Sequence, residues 1–257
     1  MPERDQVSRL LRTTAGFERA SLQQKLSDGP VNASYRLARE QQDFVLRWDK
    51  PAATELGLNR PREVRILGRL ASERLAVSFE CVDFSRGLFI RRWVPGHSWQ
   101  AEDYCKRENL QQLAGLLRKI HQVRVNEAEL DLAGALRQYT QLALASGNGQ
   151  AAQTELQALD LLHDLSLFKA ENVLCHNDPV GGNVLSHEGR LSLIDWEFSA
   201  PGDPFFDLAV VCEHHELEPP LVADFIRSYL QCEPDETEQK RFSLQRRFYR
   251  CLLELWQ

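Results

Sequence analysis

The chain has 257 residues, of which 43% are hydrophobic and 26% are charged, a composition typical of a folded chain with one large or two small domains. No run of residues approaches the ~18 consecutive apolar positions of a membrane-spanning helix, and the opening residues carry no signal or transit pattern. We therefore expect a cytoplasmic protein without membrane insertion. Six cysteines with no CxxC pair disfavour a zinc site and a disulfide scaffold.

The formal net charge of -6 disfavours nucleic-acid binding as the main role. This charge is unevenly distributed, because residues 1–96 sum to +5 and residues 97–257 to -11. Residues 191–226 contain eight acidic side chains and no Lys or Arg. Such a segment either binds cations or forms a solvated acidic surface, and composition alone does not decide between the two.

Hydrophobic periodicity predicts an α+β lobe over residues 1–93. Val7, Leu10 and Leu11 recur at helical spacing. Strands are predicted over 33–37, 44–48, 77–82 and 88–94, with a helix over 60–70 between the second and third strands. Val94-Pro95-Gly96 interrupts the pattern, and we expect a hinge over 94–97.

After this point the periodicity becomes helical, so residues 98–257 are predicted to form a larger, mainly helical lobe. Helices are predicted over 110–120, over 151–165 and from 205 to the end. Two short β-like runs interrupt them, at 173–175 and 191–194, and we expect these runs to form a β-hairpin around a loop rich in Gly, Pro and Asn.

The interrupting loop reads His176-Asn177-Asp178-Pro179-Val180-Gly181-Gly182-Asn183, and an apolar strand ending in Asp195 follows. This HxDxxxxN pattern with its later Asp resembles the catalytic and metal-binding segments of the aminoglycoside phosphotransferase and choline kinase superfamily, which are distant relatives of protein kinases. The surrounding residues look most like bacterial choline/ethanolamine kinases and thiamine kinases. The resemblance implies a protein-kinase-like two-lobed fold, with a small β-rich N-terminal lobe and a larger helical C-terminal lobe.

Phosphoryl transfer needs a carboxylate beside the attacking hydroxyl and oxygen ligands for Mg²⁺ on the nucleotide phosphates. We predict Asp178 as the catalytic carboxylate and Asn183 and Asp195 as metal ligands, since Mg²⁺ prefers oxygen donors. Gly181 and Gly182 are expected to let the loop turn tightly, and His176 to brace it by hydrogen bonds. The same residue types are common in ordinary turns, which is the alternative interpretation.

The resemblance also implies a nucleotide-binding role for the first lobe. No GxxxxGK[ST] segment occurs, and Phe44-Val45-Leu46-Arg47 is similar to the phosphate-binding strand of the family. Arg47 is therefore the predicted phosphate-binding cation, with Lys50 as the alternative. Glu63 resembles the glutamate that pairs with this cation, although an exposed glutamate in a first helical turn is an alternative.

Further predicted contacts rest on resemblance alone. The segment 27–32 looks like the nucleotide-covering loop, with Gly29 and Asn32 as nucleotide contacts, although its single glycine departs from the family's Gly-rich form. Backbone groups of Arg92, Trp93 and Val94 are expected at the adenine edge.

Relatives with this signature phosphorylate small alcohols that carry positive charge, and aromatic rings interleaved with carboxylates suit such a substrate. The predicted substrate contacts are Trp196, Glu197, Asp203 and Glu213. Asp207 resembles an aspartate that braces the catalytic loop, and His121 is expected to make a polar contact at a helix end rather than to act in catalysis.

These features predict a kinase that transfers the ATP γ-phosphate to a small cationic alcohol, with ATP and Mg²⁺ as cofactors. Choline or ethanolamine is the first expectation, thiamine the second and aminoglycosides the third. One rival is a non-catalytic nucleotide-binding relative. Another is a hydrolase using Asp195 and Glu197 as paired carboxylates on one strand. A small-molecule substrate is the expected partner, and the oligomeric state is left open.

Overall fold

A computed structural model describes residues 2–51, 53, 58–168 and 171–256. The chain divides into two compact units, residues 1–95 and residues 96–257. The boundary between Pro95 and Gly96 falls within the predicted hinge over 94–97. The hinge itself stays a prediction.

The first unit contains a five-stranded antiparallel sheet with strand order β1-β2-β3-β5-β4. Its described elements are α1 (Pro2–Arg12), β1 (Ser21–Asp28), β2 (Asn32–Arg39), β3 (Gln42–Asp49), α2 (Arg60–Ser72), β4 (Phe79–Asp83) and β5 (Leu88–Arg92). Strand β1 has no counterpart among the predicted strands. Its residues are mostly exposed and polar and its pairing with β2 is irregular, so it lacks the alternation that marks a half-buried strand.

Buried and partly buried residues alternate along β2, and the buried ones belong to the hydrophobic core of this unit. Ala33, Tyr35 and Leu37 are buried on one face of the strand, and Val7 and Leu11 of α1 belong to the same cluster. Val7 and Leu11 lie four residues apart, which places them on one face of α1. The sheet face covered by α1 is therefore the hydrophobic side of the first unit.

The start of helix α2 is fixed by a capping residue and a proline in the first turn. Asn59 caps the helix by accepting a hydrogen bond of 3.0 Å from the Arg62 backbone N–H, and Pro61 lies in the first turn. Ile66 and Leu70 are buried four residues apart on the inner face. These contacts hold the first turn of the helix, with Glu63, against the unit's interior.

The second unit is mainly helical. Its described elements are β6 (His97–Ser98), α3 (Ala101–Tyr104), α4 (Arg107–His121), α5 (Leu132–Ala145), α6 (Ala151–Ser166), β7 (Val173–Cys175), a 3-10 turn (Gly181–Asn183), β8 (Val184–His187), β9 (Arg190–Leu193), β10 (Ala200–Gly202), α7 (Pro204–His214), α8 (Pro219–Leu230) and α9 (Glu236–Trp256). Helix α5 was not predicted. No helix in the described ranges is long and apolar enough to cross a membrane.

The predicted β-hairpin between 173–175 and 191–194 is wrong. Strand β7 pairs with β10, whereas β9 pairs with β8, so the two runs lie in different small sheets. The true partner strands are only three or four residues long, too short to show a period. The loop from His176 to Asn183 is consequently anchored in one sheet at its start and in another at its end.

Helix α7 lies at the centre of the second unit. Its residues from Leu208 to Cys212 are buried without interruption, as expected for a helix that is apolar on all sides. A further core cluster joins Leu136 of α5, Leu161 of α6 and Phe248 of α9. The first residues of α7 follow β10 directly, and this connection brings the helix next to the loop after β7.

Candidate active site

The predicted partnership of Arg47 and Glu63 is present in the first unit. Arg47 Nη1 and Nη2 donate hydrogen bonds of 2.7 Å and 2.7 Å to the two Glu63 carboxylate oxygens. The Glu63 side chain is only 2% exposed, which excludes the alternative of an exposed first-turn glutamate. Burial alone would raise the Glu63 pKa, but Arg47 and Arg60 outweigh it, and the pKa lies below its ordinary value.

Two further residues belong to this ion-pair network. Arg60 donates to Glu63 over 3.0 Å and forms two hydrogen bonds of 2.8 Å with the Asp49 carboxylate. The sequence analysis did not single out Asp49 or Arg60. A signal for both was available, because Asp49 follows Arg47 by two residues on one strand and Arg60 precedes Glu63 by three on one helix.

The predicted nucleotide-covering loop contains the turn between β1 and β2. Gly29 N–H donates to Asn32 O over 3.0 Å and closes the turn. Lys50 Nζ lies 2.5 Å from an Asp28 carboxylate oxygen and 2.7 Å from Gly29 O. Lys50, the alternative phosphate-binding cation, is thus used to hold this turn.

The three predicted adenine-edge residues lie at and after the end of β5. The Trp93 N–H donates to Asp43 O over 2.9 Å, and Arg92 forms an ion pair with Glu80. The Trp93 backbone N–H therefore belongs to the sheet. An adenine contact of Arg92, Trp93 or Val94 stays a prediction.

In the second unit, the loop after β7 brings Asp178 and Asn183 together. Asn183 Nδ2 donates to the Asp178 Oδ2 atom over 2.8 Å and to Asp178 O over 3.0 Å. The spacing of five residues thus places both side chains on one side of the loop, as the motif predicts. Since the amide nitrogen binds Asp178, the amide oxygen is the Asn183 atom that could bind a cation.

Asp195 lies two residues after the end of β9, and the residue before it is hydrogen-bonded to the same loop. The Ile194 N–H donates to Asn183 O over 3.0 Å, so the residue before Asp195 is bonded to the backbone of the other predicted metal ligand. Asp195 has a φ of 64°, in the left-handed region, and therefore does not continue the strand. The hydrolase alternative needed Asp195 and Glu197 on one strand, and this premise is wrong.

Neither predicted tight-turn glycine adopts a left-handed conformation. The left-handed positions around the loop are instead Asn177, with a φ of 67°, and Asp195. Asn and Asp tolerate this region better than other non-glycine residues. The roles of Gly181 and Gly182 are thus not conformational in the way the sequence predicted.

The carboxylates of this loop and strand end lie close enough to influence one another. Burial and, after it, the charges of Asp195 and Glu197 together raise the Asp178 pKa to about 8. Accumulated negative charge with an amide oxygen and carboxylate oxygens is the donor set that Mg²⁺ prefers. Asn183 and Asp195 therefore fit a magnesium site, and Mg²⁺ bound there would neutralise phosphate charge.

His176 braces the loop, as predicted. Its side chain is fully buried, and its Nε2 lies 3.0 Å from Ile194 O while its Nδ1 accepts a hydrogen bond of 3.2 Å from the Asp178 N–H. The ring therefore joins the loop that carries Asp178 to the residue before Asp195. Both ring nitrogens are used in this bridge, which leaves no role for His176 in proton transfer to a substrate.

Asp207 of α7 holds the loop from the other side. Its carboxylate accepts hydrogen bonds of 2.8 Å and 2.7 Å from the backbone N–H groups of His176 and Asn177. His121 Nε2 lies 3.0 Å from the same carboxylate, and Tyr229 lies 2.7 Å from His121 Nδ1. The contact of His121 is thus a buried one to Asp207, and sequence spacing had no means of finding Tyr229.

Cys175 completes a buried group with His121 and Asp207, whose potential metal-ligating atoms all lie within 4.8 Å of one another. Asp207 and His121 are hydrogen-bonded to each other, and Asp207 also binds two backbone N–H groups. This pattern is a hydrogen-bond network that supports the loop. It gives no reason to assign a metal there.

Three of the four predicted substrate contacts have other partners. Trp196 is 2% exposed and its Nε1–H donates to Leu193 O over 3.1 Å. Asp203 caps α7 and forms two hydrogen bonds of 2.6 Å with Arg241. Glu213 forms ion pairs with Arg246 and Arg250. We leave all three out of the acceptor site proposed below.

Glu197 is the fourth predicted substrate contact, and its charge raises the pKa of Asp178. Burial raises the Tyr139 pKa, and the charges of Glu197 and Asp178 raise it further. Tyr139 lies on α5, and its ring packs against Trp256 with a centroid distance of 5.2 Å. Tyr139 was not predicted, because no local motif links α5 to the catalytic loop.

An antiparallel sheet with a buried Arg–Glu pair, together with the Asp178, Asn183 and Asp195 cluster, defines a kinase-like phosphotransferase. Residues 23–242 match the model of the phosphotransferase enzyme family, and the chain belongs to this family. The family predicted from the sequence motifs is thereby confirmed.

Choline kinases are among the solved structures with a similar fold. Protein LicA of Haemophilus influenzae is 28% identical over 189 residues, which cover 71% of this chain and 70% of LicA. The crystal structure of choline kinase LicA from Streptococcus pneumoniae has a TM-score of 0.74 and 20% identity, covering 99% of this chain and 89% of that one. A choline/ethanolamine kinase family protein from Mesorhizobium loti has a TM-score of 0.76 and 20% identity, covering 98% and 84%.

Aminoglycoside phosphotransferases share the fold as well. These similarities confirm the predicted α+β, protein-kinase-like fold class with a small β-rich and a larger helical part.

Proposed function

We propose that this protein is an ATP-dependent kinase that transfers the γ-phosphate to the hydroxyl of a small cationic alcohol, with choline or ethanolamine as the first candidate. The observation that carries the proposal is the hydrogen bond between Asn183 and Asp178 beside Asp195. Membership of the phosphotransferase family supports the reaction, and the 28% identity to LicA supports this choice of alcohol.

Asp178 is proposed as the residue that orients the acceptor hydroxyl and accepts its proton. A carboxylate whose pKa is raised by burial and by neighbouring acids is a better proton acceptor than an exposed aspartate. The Asn183 amide holds Asp178 from one side, and this bond limits the rotation of the carboxylate. The reacting group is thus oriented before the acceptor arrives.

Arg47 is proposed to contact the nucleotide phosphates. A guanidinium can bind two oxygen atoms in one plane, and its charge persists over the whole physiological pH range. Glu63 holds the Arg47 side chain by two hydrogen bonds, which reduces the entropy lost when a phosphate binds. Mg²⁺ on the nucleotide would be held by Asn183 and Asp195.

The positive charge of the acceptor is proposed to lie near Glu197 and Tyr139. A carboxylate supplies an opposite charge, and the face of an aromatic ring attracts a quaternary or primary ammonium group. The shared electrostatic influence of Glu197 and Asp178 on Tyr139 supports placing the cation within reach of the catalytic carboxylate.

Six free cysteines and a nucleotide co-substrate favour the cytoplasm as the site of this activity.

The test is ADP release by the purified protein with ATP, Mg²⁺ and a panel of choline, ethanolamine, thiamine and aminoglycosides. We expect turnover that depends on choline or ethanolamine and is lost in Asp178→Ala and Asp195→Ala. Turnover with only thiamine or only an aminoglycoside would reject choline and ethanolamine as the acceptor and would support the kinase reaction. Full activity in either variant, or no turnover with any alcohol, would reject the proposal.

A further inference from the structure

A stacked aromatic pair lies beside the catalytic loop. Tyr104 at the end of α3 and His215 at the end of α7 stack face to face, with ring centroids 3.5 Å apart and an angle of 15° between the planes. Trp99 packs edge-on against Tyr104 at a centroid distance of 5.0 Å. Sequence motifs assign no function to these rings, which come from elements far apart in the chain.

Hydrogen bonding does not explain the pair. The Tyr104 hydroxyl and the His215 Nε2 atom are both buried, and neither has a hydrogen-bond partner within the described part of the chain. Burying an unpartnered polar atom destabilises a fold. Any stabilising contribution of the pair must therefore come from the van der Waals contacts of its rings.

The stacked rings of Tyr104 and His215 lie next to Gly181. A Cβ atom at Gly181 would lie 3.2 Å from Trp99 O, 3.6 Å from the His215 Cε1 atom and 3.9 Å from the Tyr104 Cε2 atom. A methyl group at this position would thus lie in van der Waals contact with both rings and crowd the Trp99 carbonyl, so the ring pair bounds the space next to Gly181. At Gly182, the next residue, a Cβ atom would meet no described atom within 4 Å.

The contact bears on the proposed metal ligand two residues later. Gly181 begins the 3-10 turn that ends at Asn183, and the Asn183 N–H donates to Val180 O over 2.8 Å across it. The Asn183 side chain is in turn bonded to Asp178. A shift of Gly181 would therefore move the amide of Asn183 relative to the catalytic carboxylate.

We infer that Tyr104 and His215 are positioning residues, whose stacked rings set the place of the Gly181–Asn183 turn and thereby of the Asn183 amide that would hold the divalent cation. They act through the loop backbone and touch no reacting atom. The inference rests on the proposed function for the identity of the metal ligand, although the packing on which it is built does not depend on the acceptor.

The test measures binding of Mn²⁺ to the protein–ADP complex by electron paramagnetic resonance, with thermal unfolding of each variant as a check on the fold. Residues that orient a metal ligand typically change metal affinity by ~10-fold to ~100-fold when they are altered. We expect a loss of about tenfold or more in Gly181→Ala and His215→Ala. The matched control Gly182→Ala is expected to bind Mn²⁺ as the unaltered protein does.

Conservative variants separate ring packing from polar contacts. Tyr104→Phe and His215→Phe keep a ring and remove the unpartnered atoms, and we expect each to retain Mn²⁺ affinity that the alanine variants lose. Equal affinity in Gly181→Ala and Gly182→Ala would overturn the inference. A loss in Tyr104→Phe as large as in Tyr104→Ala would also overturn it, because the hydroxyl would then be the active group.

Folding and function are kept apart in this design. Gly181→Ala adds one methyl group, and His215→Phe keeps the volume of the ring, so the result does not depend on a cavity-forming variant that fails to fold. Mn²⁺ binding without turnover of any alcohol would reject the proposed function and leave the inference standing. Absence of Mn²⁺ binding to the unaltered protein with ADP would overturn the inference.

Discussion

Arg47 and Glu63 form a buried, two-pronged ion pair, with hydrogen bonds of 2.7 Å from each terminal guanidinium nitrogen to a separate carboxylate oxygen. The guanidinium also lies over the Phe89 ring, 4.9 Å from its centroid. Arg47 is therefore held in plane by one residue and on one face by another. This rigidity is the physical basis for its proposed role toward phosphate, and it makes the pair sensitive to exchange.

Replacing Arg47 by Lys is expected to raise the KM for ATP about tenfold, because an ammonium group cannot bind two oxygen atoms in one plane. The kcat is expected to change less, since Asp178 and the proposed metal ligands are unaltered. Initial rates over a range of ATP concentrations measure both constants. An unchanged KM for ATP would reject the phosphate role of Arg47.

Glu63→Gln removes the carboxylate that two buried arginines share, Arg47 and Arg60. We expect the free energy of unfolding to fall by about 3 kcal/mol, because uncompensated charge stays buried. Denaturant unfolding measures the change. The control is Glu73→Gln, where the ion pair with Arg69 is 45% exposed on both sides and a loss below ~1 kcal/mol is expected.

His215 contributes to the pH dependence of stability. Burial lowers its pKa to about 4 from an ordinary value of 6.5, so the unfolded chain binds a proton between these values and the folded protein does not. The stability contributed at neutral pH is therefore lost as the pH falls from 6.5 towards 4. We expect His215→Phe to show a smaller drop in unfolding temperature between pH 7 and pH 4.5 than the unaltered protein.

The exposed His187 provides the control for this measurement. His187→Phe is expected to follow the unaltered protein over the same pH range. Equal pH dependence of His215→Phe and the unaltered protein would contradict the assignment of an uncharged His215.

Glu213→Gln separates two interpretations of an acidic residue. Glu213 is 7% exposed and forms ion pairs with Arg246 and Arg250 of α9, so its loss is expected to destabilise the fold by ~1–3 kcal/mol. The KM for the acceptor alcohol should stay within about twofold, since Glu213 is not among the proposed acceptor contacts. A large rise in this KM with little loss of stability would instead assign Glu213 to the acceptor site, as the sequence predicted.

Local spacing was sufficient to predict the parts of the site that lie within one loop or at the end of one strand. Asp178 and Asn183 are five residues apart, and their hydrogen bond lies within one loop. Short runs rich in β-branched and aromatic residues and bounded by turn signals likewise predicted β2 and β3, and the alternating burial of β2 matches a half-buried strand. Periodicity indicates the α+β lobe and the helical lobe, and the resemblance to the family implies the protein-kinase-like fold class.

Apart from the Arg47–Glu63 pair, which the resemblance implied, only the tertiary structure decided the partners that lie far apart in the chain. Asp203 was interpreted as a substrate contact, but it pairs with Arg241, 38 residues later. Gly181 was predicted to let the loop turn tightly, but only the structure places it next to Tyr104 of α3 and His215, the residue after α7. Periodicity states which face of an element is apolar. It does not state which element covers that face, since packing depends on the whole chain.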